Sequence, residues 1–207
     1  MRPRAVLVAV FLAACGRGQE VYRVPAADPA TLRHLPAGDV VGGAGRYDAL
    51  AWLGIPYAQP PVGALRWRAP EPLARWSGTR DALAFGAACT QFGSRLGGAP
   101  GVRPGAVGGS EDCLTLNVWK PRTAAPGQAL PVFVWIHGGG NTIGHASFFD
   151  GGHLAAEGLV VVTVQYRLGP FGWFRHPALR AAAHGDAEAS GNFGTLDQIR
   201  ALEWVRD

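Results

Sequence analysis

The residues with the clearest chemical potential are His137-Gly138-Gly139-Gly140, which directly follow the apolar run Pro131 to Ile136. Three glycines at a strand end let backbone N–H groups turn into a cavity with no side chain in the way. Donors placed this way can hold an oxygen that becomes negative during a reaction, each at about 3–4 kcal/mol of barrier. A tight turn, or a nest for another anion, fits the same four residues. His137 invites a second reading, as a base. The other histidines, His34, His145, His153, His176 and His184, are expected in loops or on the surface, and none has a neighbour at metal-ligand spacing. No metal or cofactor is expected.

The elements around the glycines must position them. Pro131 to Ile136 and Leu159 to Val164 are continuous apolar runs, as in parallel strands buried on both faces. Residues 152–157 between them fit one short helix. Before this, residues 39–57 read as short antiparallel strands and 114–119, which alternate, as a strand. Residues 56–72 and 93–109 read as loops rich in proline and glycine. At the end, Leu196, Ile199, Leu202 and Val205 recur at helical spacing, with Thr195 and Gln198 placed as a capping box. The order is a β-meander passing into β-α-β text, an α/β class.

Composition narrows the function. Of 207 residues, 48% are apolar and 16% charged, which supports a sizeable core and excludes general disorder. The net charge of +4 comes from scattered arginines with no basic run interleaved with aromatics, so nucleic acid is not an expected partner. Arg2 and Arg4 precede the short apolar run Ala5 to Ala14, the pattern of an export signal. Leu12-Ala13-Ala14-Cys15-Gly16 resembles a bacterial lipobox. Its cysteine would be lipidated after cleavage, anchoring the protein to the cell-envelope membrane. Ordinary cleavage near Ala14, giving a periplasmic or secreted protein, fits the same text. The chain therefore divides into a signal at 1–15, a tether at 16–37 and a domain at 38–207. After export, Cys89 and Cys113 could form a disulfide, worth about 3–4 kcal/mol, or stay as separate buried thiols.

Several motifs carry a family resemblance. They are Leu53 to Gly63, Leu65 to Pro70, Ser110 to Trp119, Trp135 to Gly140, Val164 to Gly169 and Gly191 to Gln198. In this order they resemble the type-B carboxylesterase and cholinesterase family, over residues 39–207. The resemblance implies the α/β-hydrolase fold and a serine esterase acting on small carboxylic esters. It implies that Gly139 and Gly140 are oxyanion-hole donors, as in the glycine loops of lipases and esterases. It implies a Cys89–Cys113 disulfide and structural ion pairs Arg66–Glu111 and Arg167–Asp197. Where such a pair is buried, removing one partner costs roughly 3–5 kcal/mol.

The same resemblance makes His137 a loop-supporting residue, because the triad in this fold runs serine, acid, histidine along the chain. There are departures. None of the five serines, Ser77, Ser94, Ser110, Ser147 and Ser190, lies in a Gly-x-Ser-x-Gly elbow. The expectation is a chain that stops short of the nucleophile, with acid and base also outside it, and that is inactive alone. Asn141 stands where many relatives carry an aromatic residue. The segment from Phe174 to Ser190 looks longer than in animal cholinesterases. A non-catalytic cholinesterase-like binding module and a decayed gene fragment are the alternatives. Oligomeric state is left open by the sequence.

Overall fold

A computed structural model describes residues 22–207. The expected signal at 1–15 and the lipidation site Cys15 lie outside the described residues. The first strands are β1 (Arg33–Leu35), β2 (Gly38–Val41), β3 (Gly43–Ala44), β4 (Ala49–Pro56) and β5 (Thr79–Asp81). Next come β6 (Gln91–Phe92), β7 (Val107–Gly108), β8 (Thr115–Pro121), β9 (Val132–Ile136) and β10 (Val160–Val164). The helices are α1 (Gly152–Ala156), α2 (Gly169–Gly172), α3 (Pro177–Ala181), α4 (Asp186–Ala189) and α5 (Phe193–Arg206).

The main sheet has the order β3-β4-β8-β10-β9. Its meander part is antiparallel, and β10 pairs parallel with β9 from Val160↔Val132 to Val164↔Ile136. A parallel pair needs a crossover, and α1 supplies it, packed on β4, β8 and β10. The core forms around Trp52, Leu116, Trp119, Val162 and Val164, all buried. Between Trp52 and Ile55, β4 slips register against β8. The buried Asn117 bridges this bulge, accepting from the Gly54 N–H (2.8 Å) and donating to Thr163 (2.9 Å). The slip therefore leaves Gly54 N–H with a partner inside the core.

Three expectations change. The expected tether is packed from residue 22 onward. Val24 is buried, its N–H bonds Leu83, and β1 pairs with β2. Prolines there punctuate a chain that still places Val24 and Thr31 inside. Second, of the two runs only β10 is buried, from Val161 to Val164. β9 lies at the sheet edge, with Val132, Phe133 and Ile136 39–51% exposed. An apolar run marks a strand but not its place in the sheet. Third, α5 starts at Phe193 with Asn192 as its N-cap and no side-chain cap, so Thr195 and Gln198 form no capping box. Its buried face is Phe193, Gly194, Asp197 and Ala201, while Ile199 and Leu202 are exposed.

Candidate active site

The glycine loop leaves β9 at its carboxyl end, where open α/β sheets place their ligands. His137 comes first and is buried. Its ring stacks on Tyr166 at 4.4 Å, and the Tyr166 hydroxyl donates to the His137 carbonyl at 2.5 Å. Its Nδ1 lies 3.0 Å from the Gly138 carbonyl oxygen. Burial lowers the His137 pKa. A neutral imidazole wedged behind the loop is a support, in keeping with its expected role.

Gly139 and Gly140 have φ of 118° and 61°, and Asn141 follows at 60°. These left-handed values turn the chain back at once. The Gly139 carbonyl accepts from the N–H groups of Thr142 and Ile143, both at 3.2 Å. A Cβ on Gly139 would lie 1.9 Å from the Ile143 carbonyl oxygen, so only glycine fits. At Gly140 the space is open, and the constraint is φ alone. Among the described residues no protein acceptor takes the N–H of Gly139 or Gly140. Both glycines are exposed. Two neighbouring donors thus stand free at the end of a parallel strand. The Asn141 carbonyl is tied to the Gly169 N–H at 2.7 Å, which joins the loop to α2.

The other expected residues frame this loop. Cys89 and Cys113 form a disulfide that closes the segment carrying β6 and β7. Arg66 and Glu111 form a bidentate pair at 2.5 Å, partly open to solvent. Arg167 and Asp197 form a buried pair through Nε to Oδ2 (2.8 Å) and Nη2 to Oδ1 (2.7 Å). The Arg167 N–H also donates to Asp197 at 3.0 Å. This pair joins the chain leaving β10 to α5. Burial pushes the Asp197 carboxyl up, and the bonds from Arg167 pull it back.

His34, His153, His176 and His184 are exposed as expected, but His145 is buried. The loop doubles back under His137, and the short segment 144–146 is carried inside. Burial lowers the His145 pKa to about 4. Gly144, Gln91, Gln165 and Tyr166 also shape the site. Tyr166 lies inside a quoted motif. Gln165 lies in that motif too, but nothing near either glutamine signals its bonds: apart from the Cys89 carbonyl beside Gln91, their partners are 19 to 78 residues away. Among the described residues no cluster of three or more histidine, cysteine or acidic side chains could hold a metal, and no helix is long and apolar enough to cross a membrane.

The mixed sheet, the parallel crossover and the glycine loop at the strand end define an α/β-hydrolase fold. One solved para-nitrobenzyl (PNB) esterase superposes with a TM-score of 0.71 at 42% identity, over 85% of this chain and 34% of that one. Residues 30–207 match the carboxylesterase family, and the chain belongs to it. It is 44% identical over 184 residues to a fumonisin B1 esterase of Sphingopyxis macrogoltabida, covering 87% of this chain and 32% of that protein. It is 48% identical over 159 residues to a cocaine esterase of Oryctolagus cuniculus, covering 75% and 28% respectively. The chain thus spans about a third of the length of the relatives it matches.

Proposed function

We propose that these residues form the oxyanion-hole part of a serine-type carboxylic ester hydrolase. The observation that carries this reading is the pair of free N–H groups at Gly139 and Gly140, held by left-handed backbone at the end of β9. Ester hydrolysis develops negative charge on the carbonyl oxygen as the tetrahedral intermediate forms. Donors fixed beforehand stabilise that charge without reorganising. The nucleophilic serine, its histidine base and the orienting acid come from sequence outside these residues, since no serine here lies in an elbow. The substrate is a small carboxylic ester.

The test is hydrolysis of short-chain p-nitrophenyl esters by the reading frame that contains these residues, including any codons beyond Asp207. Turnover blocked by a serine-directed inhibitor is expected, and Gly140→Ala should slow it by about a hundredfold by spoiling one donor. Turnover untouched by both would overturn the reading. The 207 residues alone are expected to show no serine-dependent turnover, and clear turnover by them would contradict the assignment of the serine elsewhere. We further propose export with a lipid anchor at Cys15, on the strength of the apolar run and lipobox-like text. Metabolic labelling with a fatty acid that persists in Cys15→Ser would refute the anchor.

A further inference from the structure

Gln91 is buried, and its carboxamide makes three hydrogen bonds. Its Nε2 donates to the Cys89 carbonyl at 3.0 Å and to the Gly144 carbonyl at 2.8 Å. Its Oε1 accepts from the Gly144 N–H at 2.9 Å. Both backbone groups of Gly144 are thus met by one side chain, as a neighbouring strand would meet them. Because one partner is a donor and the other an acceptor, the orientation of the carboxamide is determined.

Gly144 sits at the centre of the loop's return. A Cβ there would lie 2.3 Å from His137 Nδ1. Its neighbour Ile143 donates to the Gly139 carbonyl at 3.2 Å, and the Ile143 carbonyl packs directly against Gly139. The contacts therefore run unbroken from Cys89, through Gln91 and Gly144, to Ile143 and Gly139. On the other side, Cys89 is fastened by its disulfide to Cys113 and by a bridge to Ser110. Gln165 supports the same return from the end of β10. It accepts from the Ala146 N–H at 2.8 Å and donates to the Ala87 carbonyl at 3.2 Å. Both glutamines link the return arm to the segment just around Cys89.

We propose that Gln91 is a positioning residue that couples the Cys89–Cys113 disulfide to the geometry of the Gly139–Gly140 donors. This rests on the oxyanion reading only for its consequence in catalysis; the coupling itself is a property of the loop. A buried amide and carbonyl left without partners would loosen the loop. Reducing the disulfide frees Cys89 and should loosen it through the same side chain.

Site-resolved hydrogen exchange on the full 207-residue chain tests the coupling without any requirement for activity. The reporter is the Ile143 amide, which bonds Gly139 and not Gln91. Gln91→Met keeps side-chain length and removes all three bonds. Exchange at Ile143 should rise about tenfold or more, while β8 and β10 amides keep their protection. Reduction of the disulfide should produce a similar rise in wild type and add little in the Met variant. Two results would overturn the proposal: exchange raised at Gly144 but unchanged at Ile143, or an equal further rise on reduction in both proteins. Where the Met variant or reduction also strips β8 and β10, Gln91→Glu in the oxidised chain decides. It restores the acceptor for Gly144. Faster Ile143 exchange, intermediate in size and with β8 and β10 protected, supports the coupling; unchanged Ile143 exchange overturns it. Absent ester turnover by the reading frame that extends past these residues would refute the proposed function and leave this result standing.

Discussion

At the residue scale the three glycines do different work. Gly138 has ordinary freedom, Gly139 has no room for a side chain, and Gly140 has room but a left-handed φ. Gly139→Ala should therefore destabilise the chain by more than about 3 kcal/mol, since backbone must move as well. Gly140→Ala should cost only about 1 kcal/mol, the ordinary penalty of that conformation. Urea midpoints of the two variants check the order. His145 gives a pH prediction. Burial holds its folded pKa near 4, against 6.5 for the free side chain. Below about pH 6.5 the unfolded state takes up a proton that the folded state refuses, so stability falls as pH drops from 6.5 towards 4. The loss approaches about 3 kcal/mol at the low end. His145→Gln should flatten that part of the stability profile, and an unchanged profile would show that His145 does not set it.

At the element scale, two ion pairs with the same chemistry have different weight. Arg167–Asp197 is enclosed and joins the exit of β10 to α5. Asp197→Ala leaves a guanidinium buried without its carboxylate, at a cost of about 3–5 kcal/mol. Arg66–Glu111 is partly wetted, so water replaces much of what Arg66→Met removes. Chemical denaturation of both variants should show a large shift for the first and a much smaller one for the second. The disulfide acts between elements as well. Opening it should lower stability by about 3–4 kcal/mol through the freed loop.

For the whole molecule, the exposed edge of β9 dominates. Among the described residues no strand pairs its outer side, and Val132, Phe133 and Ile136 are partly exposed beside it. An apolar open edge is a template for pairing with another chain. The 207-residue chain should associate as concentration rises, and Phe133→Lys should reduce that association. Sedimentation velocity checks this. A single boundary with the same coefficient at every concentration would contradict it.

What the sequence determined by itself was local. Runs of β-branched residues marked β9 and β10, the text between them marked α1, and His137 to Gly140 marked a turn of free donors. Family motifs identified both ion-pair partners and the cysteines by position. These are properties of neighbouring residues, or of text that recurs in order. The tertiary structure decided what depends on distant chain. It put β9 at an edge and β10 inside, turned α5 so that Asp197 faces the core and Leu202 does not, and packed Val24 from a segment that read as a tether. It also buried His145 and brought Gln91 to Gly144 across 53 residues. A side chain that completes another segment's backbone bonds leaves no pattern around itself, because the requirement lies in the partner and appears only when the two are folded together.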